Sequence, residues 1–325
     1  MEEPIVRVDH LSHRYSVQWA IRDINLQISK KGVFGLLGSN GAGKSTTMNI
    51  ICGVLNQTEG DVHINGISLR EDPVQAKRYI GFLPQRPPLY TDATVDEYLM
   101  YCARLRLMDP KEVRPAVDRA KEKCGIMHFS RRLIGNLSGG YQQRVGIAQA
   151  IVHNPPFVVL DEPTNGLDPN QIVEIRHLIK EIAAERAVML STHILPEVQA
   201  TCDEIMMIEH GRVVFTGSLR DFNNYMAPST FVLVLEQAPP VEELAAIPGI
   251  LKVEHLTPTR FRLHFDGEDH GMTRRVAALA VEKGWRPSEI MLERDSLDTV
   301  FAQLSGKGVA SPHTGAHTDA AASRS

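Results

Sequence analysis

A glycine-rich stretch near the start of the chain has the residue types and spacing of a phosphate-binding P-loop. The glycines at 38, 41 and 43 let the backbone turn tightly, so that several N–H groups point at one anion. Lys44 supplies a cation for the β- and γ-phosphates of a nucleotide, and Ser45 supplies a hydroxyl for Mg²⁺. The predicted nucleotide-binding residues of this loop are Ser39, Asn40, Gly41, Ala42, Gly43, Lys44, Ser45 and Thr46.

The segments on either side of the P-loop predict the elements that hold it. Residues 33–37 are mostly apolar and predict a buried strand, and residues 44–52 predict a helix. The positive N-terminal end of that helix would face the phosphates. This context supports a nucleotide site, but the loop alone does not distinguish a kinase, a GTPase, a motor or a transporter ATPase.

A second predicted strand ends in two adjacent carboxylates. Residues 157–160 are all apolar, and Asp161 and Glu162 follow them directly. A buried strand with this ending is the Walker B pattern of nucleotide hydrolysis. Asp161 is predicted to hold the Mg²⁺ shell, and Glu162 is predicted to polarise the attacking water as the general base.

A motif between these two segments narrows the class. Residues 137–144 read Leu-Ser-Gly-Gly-Tyr-Gln-Gln-Arg. Ser138 is predicted to cap a helix from about Gly140 to His153, while the two glycines leave N–H groups bare for a second anion site. With this order of motifs the chain resembles the ATP-binding cassette (ABC) ATPases, whose signature has this form. Many members have Gln in place of Tyr141, and a large side chain there still permits the same contacts.

The resemblance implies further site residues. Gln85 matches the family's Q-loop, which contacts Mg²⁺ or the attacking water, and His193 matches the histidine that touches the γ-phosphate. Asp168 matches the D-loop, and Tyr15 lies where the family has an aromatic ring that stacks on adenine. The implied catalytic residues are Lys44, Gln85, Glu162 and His193, and the implied metal ligands are Ser45, Gln85 and Asp161.

The family also implies ATP and Mg²⁺ as ligands and a head-to-tail homodimer as the working form. Ser138, Gly139 and Gly140 of one subunit would cover the γ-phosphate that Lys44 of the other subunit holds. ATP would then join the subunits only while its γ-phosphate is present, and hydrolysis would open the dimer. Because every catalytic position is occupied by the expected residue type, we predict an active ATPase.

The composition of the chain indicates which partners it can bind and where in the cell it would lie. The 325 residues carry a net charge of −4, which gives no basic field for nucleic acid. No apolar run is long enough to cross a bilayer, and the acidic N-terminus is unlike a signal peptide. The four scattered cysteines predict reduced thiols in a cytosolic protein. A transporter ATPase of this kind would need a separate integral membrane permease and would lie peripherally on the inner face of the cell membrane.

The chain is predicted to contain two α/β domains and a tail. Residues 1–225 would form the ABC cassette, with a RecA-like core, an N-terminal antiparallel β region and a helical insert at about 95–155. Residues 226–230 predict a linker. Residues 231–305 have a β-α-β-β-α-β pattern that suggests a small ferredoxin-like domain. Residues 306–325 lack apolar bulk and are predicted to be disordered.

The resemblance extends to a subgroup and to a partner surface. The second domain, with its closing residues 296–301, resembles the accessory domain of ATPases that serve ABC-2-type permeases, where it regulates, supports dimers or acts as a spacer. Residues 88–92 and 166–171 look most like the branch associated with gliding motility. The family implies that residues 87–90 and the insert helices form a groove for a coupling helix of the permease.

The leading prediction is therefore an ATPase subunit that energises an ABC-2-type exporter. The alternative is a non-transport ABC ATPase that acts on ribosomes or DNA. Such relatives usually have a coiled-coil insertion, zinc-ligand cysteines or two tandem cassettes, and none of these patterns occurs in the sequence. A GTPase is not favoured either, since the sequence has no Asn-Lys-x-Asp guanine motif.

Overall fold

A computed structural model describes residues 3–225, 230–266 and 271–293. The described chain forms two compact units, and the boundary between them lies between Leu219 and Arg220. The predicted linker (except residue 230), the closing motif at 296–301 and the predicted disordered tail lie outside the described residues.

The first unit contains two sheets and a group of helices. Its elements are β1 (Val6–Tyr15), β2 (Gln18–Ile28), β3 (Gly32–Leu37), α1 (Lys44–Ile51), β4 (Glu59–Ile64), β5 (Ile67–Ser68), α2 (Pro73–Arg78), β6 (Ile80–Leu83), α3 (Val95–Leu105), α4 (Pro110–Lys123), α5 (Gly139–Ile151), β7 (Phe157–Asp161), α6 (Pro169–Ala183), β8 (Ala187–Thr192), α7 (Leu195–Thr201), β9 (Glu204–Glu209) and β10 (Arg212–Ser218). Helix α8 (Leu219–Tyr225) follows at the boundary between the units.

The larger sheet of the first unit explains how distant motifs come together. Its strand order is β10-β9-β3-β8-β7-β6, and all neighbouring pairs are parallel except β10 with β9. Strands β7 and β8 are fully buried, which explains why they read as apolar runs without alternation. Because parallel strands end at the same edge of a sheet, the segments after β3, β6, β7 and β8 meet there. The smaller sheet, β2-β1-β4-β5, is antiparallel, as predicted for the N-terminal region.

The helical insert is held together by a buried lysine. Lys121 of α4 is fully buried, and its Nζ lies 2.5 Å from a carboxylate oxygen of Asp96 in α3 and 3.0 Å from one of Asp118. The same ammonium donates to Ser130 Oγ at 2.9 Å. Ser130 lies in the loop that leads to the signature motif, so this cation ties that loop to both helices.

The cysteines of the first unit are free thiols. Cys52, Cys124 and Cys202 are buried, and Cys102 is half-buried. Burial raises the pKa of Cys124 and of Cys202 to about 12, so both stay protonated at neutral pH. The three buried thiols pack as small apolar groups, in agreement with the prediction of reduced thiols.

The second unit has its own sheet and core. Its elements are β11 (Thr230–Leu235), α9 (Val241–Ala245), β12 (Ile250–Thr257), β13 (Arg260–Phe265), α10 (Met272–Glu282) and β14 (Pro287–Glu293). The strand order is β12-β13-β11-β14, with every neighbouring pair antiparallel. Side chains such as Phe231, Leu263 and Trp285 form the core. The described elements follow the β-α-β-β-α-β order that the sequence predicts.

Candidate functional site

The P-loop connects the end of β3 to the start of α1. Gly43 has a φ of 110°, and a Cβ there would lie 2.6 Å from Ile21 Cγ2, so the position requires glycine. Gly41 has a φ of 83°, and a Cβ there would meet open space. The first turn of α1 contains no acidic residue. Its N–H groups and the positive end of its dipole are therefore oriented for an anion.

Lys44 is buried at the base of this loop. Its Nζ donates to the carbonyl oxygens of Gly38 at 2.9 Å and of Ser39 at 3.0 Å. Burial lowers the pKa of Lys44, while the charges of Glu162, Asp161 and Glu209 act to raise it. A desolvated cation beside bare N–H groups fits the phosphates of a nucleotide.

The two carboxylates after β7 are fixed by the neighbouring strand β8. The hydroxyl of Ser191 donates to Asp161 Oδ1, and the N–H of Glu162 lies 3.2 Å from both the carbonyl and the hydroxyl oxygen of Ser191. Glu162 has a φ of 47°, a left-handed conformation that non-glycine residues adopt only when their surroundings hold it. Asp161 and the exposed Ser45 carry oxygen atoms of the kind that Mg²⁺ prefers as ligands, and both remain predicted metal ligands.

Three of the predicted catalytic side chains meet at Glu162. His193 Nδ1 lies 3.0 Å from Glu162 Oε1, and Gln85 Nε2 donates to Glu162 Oε2 at 3.4 Å. His193 follows β8 and Gln85 follows β6, so the order of the parallel strands produces this cluster. Both oxygens of Glu162 thus have polar partners that orient the carboxylate.

The signature motif lies in the first unit but outside the cluster around Glu162. Ser138 occupies the N-cap position of α5, but its side chain makes no capping bond, contrary to prediction, and the helix ends at Ile151 rather than His153. The missing bond leaves the exposed hydroxyl of Ser138 available to a ligand. A Cβ on Gly140 would lie 2.7 Å from the side-chain amide carbon of Gln171 of α6, so the Gln171 side chain packs directly against this glycine. Within the described chain no hydrogen bond joins Ser138, Gly139 or Gly140 to the P-loop.

Asp168 has a structural role that the sequence analysis missed. Its side chain caps α6 by accepting the N–H groups of Asn170 at 3.0 Å and Gln171 at 2.9 Å. The signal was present in the sequence, because Asp before Pro is a common helix start. A role of Asp168 in coupling two active sites stays a prediction.

Tyr15 is the more open of two aromatic residues near the P-loop. It ends β1, is 53% exposed and contacts His13 edge-on, with ring centroids 4.7 Å apart. The ring of Trp19 instead lies under two guanidinium groups, those of Arg22 at 5.2 Å and Arg14 at 5.7 Å. An adenine ring would find a free aromatic face on Tyr15 rather than on Trp19.

Replacing Tyr15 by Ala is expected to raise the Kd for ATP by about 5- to 100-fold, because stacking of a base on an aromatic ring contributes about 1–3 kcal/mol. Tyr15→Phe keeps the ring and should bind ATP like the parent, and Trp19→Phe is the control for the neighbouring aromatic. The measurement is a titration with a fluorescent ATP analogue. Equal affinities for Tyr15→Ala and the parent would remove Tyr15 from the site.

Several polar residues around the site were not predicted from the sequence. Glu209 accepts the Ser39 hydroxyl with its two carboxylate oxygens at 2.9 and 3.1 Å, and thus holds the P-loop from the end of β9. Buried hydroxyls at the end of β8 and beyond β7 hold the catalytic segments. These residues are Thr164, Ser191 and Thr192. In the sequence, the two hydroxyl residues directly before His193 were the feature that could have indicated these contacts.

The fold and this cluster are those of a P-loop nucleoside triphosphatase: a parallel sheet whose edge carries a glycine-rich loop with a buried lysine and two adjacent carboxylates. Comparison with known proteins gives the family. The family model described as ABC transporter matches residues 21–165, a range that contains the P-loop, the signature and the two carboxylates.

Several relatives match over nearly the whole chain. The bacitracin transport ATP-binding protein BcrA of Bacillus licheniformis is 30% identical over 311 residues, which cover 94% of this chain and 98% of BcrA. The structure of cbiO1 from Clostridium perfringens, part of the ABC transporter complex cbiONQ, is similar with a TM-score of 0.63 and 31% identity, covering 68% of this chain and 91% of cbiO1. A dimeric post-hydrolysis structure of the ATP-binding cassette MJ0796, bound to ADP and Pi, has a TM-score of 0.60 and 27% identity, covering 66% of this chain and 99% of MJ0796.

This chain belongs to the ATP-binding subunits of ABC transporters. Members of this family bind and hydrolyse ATP and power a membrane transporter. The mixed α/β cassette fold of the first unit is the fold of these structures, which confirms that part of the sequence prediction.

Proposed function

We propose that this protein hydrolyses ATP with Mg²⁺ to energise a separate integral membrane permease of ABC-2 type, as a head-to-tail homodimer and in the direction of export. The observation that carries the proposal is the cluster of Gln85, Glu162 and His193 at the sheet edge that also carries the P-loop. A general base held by two polar partners beside a phosphate site suits attack of water on a γ-phosphate.

Each side chain has a distinct task in this proposal. Lys44 and the N–H groups of α1 bind the phosphates, and Glu162 accepts a proton from the attacking water. His193 orients Glu162 and contacts the γ-phosphate, and Gln85 contacts the water or the metal. Ser45, Asp161 and Gln85 would hold Mg²⁺, which when bound neutralises charge on the phosphate oxygens.

The signature motif supports a shared active site. Ser138 and Gly139 are exposed, and a Cβ on Gly139 would meet open space, so a phosphate from outside the chain can approach them. Since this motif has no bond to its own P-loop, we assign it to the nucleotide of a second subunit. The dimeric structure of the similar cassette MJ0796 supports this assembly.

A groove beside the helical insert supports a protein partner. Four exposed apolar side chains line it, and its volume is about 590 Å³. We call it the insert groove; the four side chains are Val54, Val74, Leu105 and Leu107. Tyr101 lies one helical turn before Leu105 on α3, and its ring centroid is 5.6 Å from that of Tyr90, so the apolar surface continues to residues 87–90.

The charges of the insert groove define the chemistry of its partner. Its lining includes Lys77, Arg78 and Arg106 and has no Asp or Glu among the described residues. A helix with an apolar stripe and acidic side chains would bury the stripe and pair with these cations. We therefore propose that an acidic, amphipathic segment of the permease binds here.

The second unit is proposed to be a ferredoxin-like accessory domain. Its strand order, β12-β13-β11-β14, supports this topology, and the match to BcrA extends over both units. Export is the direction we propose by analogy with the family, and the description of BcrA as a bacitracin transport ATP-binding protein supports a transport role. Assignment to the gliding-motility branch stays a proposal, supported by residues 88–92 and 166–171 alone. None of the helices in the described part of the chain has the length and hydropathy of a membrane-spanning helix.

The proposed function is tested by capture of the permease. Glu162→Gln protein with Mg-ATP is used to pull partners from detergent-solubilised membranes of the host, and mass spectrometry identifies them. We expect a polytopic membrane protein whose recovery falls about tenfold or more in Leu105→Asp or Tyr101→Asp, because buried apolar anchors dominate such interfaces. Leu251→Asp, at an exposed apolar position in the second unit, is the control.

Recovery of ribosomal or DNA-associated proteins without a membrane protein would contradict the permease proposal and favour the non-transport alternative. Equal recovery in the Leu105→Asp, Tyr101→Asp and Leu251→Asp proteins would place the permease contact outside the insert groove.

A further inference from the structure

Glu197 is a buried carboxylate that the site described above does not use. It lies in the first turn of α7 and is 3% exposed. Each of its oxygens accepts a different hydroxyl: Thr164 Oγ1 donates to Oε1 at 2.7 Å, and Thr192 Oγ1 donates to Oε2 at 2.9 Å. The guanidinium of Arg176 lies 3.9 Å from Oε1. These groups supply the partners that a buried carboxylate requires.

The two hydroxyl donors come from the two segments that carry catalytic side chains. Thr164 lies in the turn after β7, in which the N–H of Asn165 donates to the carbonyl of Glu162 at 3.1 Å. Thr192 is the last residue of β8 and directly precedes His193. One carboxylate therefore joins the turn that contains Glu162 to the turn that contains His193.

This connection matters because Glu162 and His193 act as a pair. Their side chains meet at 3.0 Å across a separation of 31 residues in the chain, so the distance depends on how the two turns are held. The left-handed φ of Glu162 must also be maintained by its surroundings. Ser191 holds the backbone of Glu162 from one side, and the Thr164 bond holds the following turn from the other.

We propose that Glu197 is a positioning residue for ATP hydrolysis, which keeps the Glu162 turn and the His193 turn at the spacing that turnover requires. The inference rests on the proposed function, since it concerns the same reaction. A carboxylate suits this task because each of its oxygens can accept a hydrogen bond from one of the two hydroxyls. A glutamine of the same size would present a donor to one of the two threonine hydroxyls, and Thr192 Oγ1 already accepts the N–H of Ile194 at 3.1 Å.

The test is the steady-state ATPase activity of the full chain with Glu197→Gln, Thr164→Val or Thr192→Val. We expect kcat to fall about tenfold to a hundredfold in each variant, because small displacements of catalytic groups have effects of this size. The KM for ATP and the affinity for a fluorescent ATP analogue should change by less than about twofold, since the P-loop is intact. Thr164→Ser and Thr192→Ser keep the hydroxyl and should retain most of the parental kcat.

A double variant separates the proposed bond from a general loss of structure. Adding Thr192→Val to Glu197→Gln should reduce kcat less than it does in the parent, because both changes remove the same contact. Parental kcat in Glu197→Gln would overturn the inference, and so would loss of nucleotide affinity in parallel with kcat. Failure of the proposed function has a different signature, which is the absence of ATP turnover in the unaltered chain.

Discussion

Glu162→Gln protein is expected to bind ATP with the parental affinity and to hydrolyse it about 10²- to 10⁴-fold more slowly, the range that a general base contributes. The amide keeps the size of the side chain and can still contact His193 and Gln85, which lie 3.0 and 3.4 Å from the carboxylate oxygens. It cannot accept a proton from water. Single-turnover hydrolysis and equilibrium binding of ATP measure the two properties separately.

The same variant is expected to accumulate as a dimer. If ATP joins two subunits only until its γ-phosphate is lost, blocked hydrolysis should preserve the dimer. Light scattering of the Glu162→Gln protein with Mg-ATP should give twice the monomer mass, and with Mg-ADP the monomer mass. Glu181→Gln, an exposed glutamate on α6, is the matched control and should turn over ATP normally. Parental turnover in Glu162→Gln would show that another group is the base.

The parts of the site that could be predicted from the sequence are those encoded in short segments. The P-loop needs glycines and Lys44 within a few residues, and the carboxylates directly follow an apolar run. Helices α3 and α4 begin at local signals of the sequence, because Thr94 and Glu97 form a capping box and Asp109 caps the helix that starts at Pro110. Local signals of this kind do not depend on the tertiary fold.

The parts that could not be predicted depend on which segments become neighbours. Ser191 holds Asp161 and Glu162 only because β8 lies beside β7, and this pairing is not encoded in either segment. Glu197 contacts Thr164 across 33 residues of sequence. Lys121 would be expected at the surface from its type, yet two carboxylates from α3 and α4 make its burial possible.

Side-chain contacts also distinguish residues with similar sequence patterns. Ser138 and Asp168 both directly precede helices, and the sequence analysis predicted a cap only at Ser138. Asp168 caps α6 with two bonds, whereas Ser138 makes none and keeps its hydroxyl exposed. The difference is consistent with a structural task for Asp168 and a ligand-binding task for Ser138, a distinction that spacing alone did not provide.

Lys44→Ala is expected to lose nucleotide binding, whereas Glu162→Gln is expected to bind ATP and lose only hydrolysis. A charge-assisted hydrogen bond contributes about 1.5–3 kcal/mol, so the Kd for ATP should rise about tenfold to a hundredfold when the ammonium is lost. The loop itself should also loosen, because the carbonyl oxygens of Gly38 and Ser39 lose the donor that now joins them. Lys180→Ala, which removes an exposed lysine of α6, is the matched control.

The readout for Lys44→Ala is the shift of the unfolding temperature on addition of Mg-ATP. A ligand that binds only the folded state raises this temperature, and the rise grows with the logarithm of the ratio of ligand concentration to Kd. The parent and Lys180→Ala should be stabilised, while Lys44→Ala should shift little at the same ATP concentration. An equal shift in all three proteins would mean that Lys44 does not hold the phosphates. Since Glu162→Gln should keep the full shift while losing turnover, the two variants together assign binding to the loop after β3 and water activation to the turn after β7.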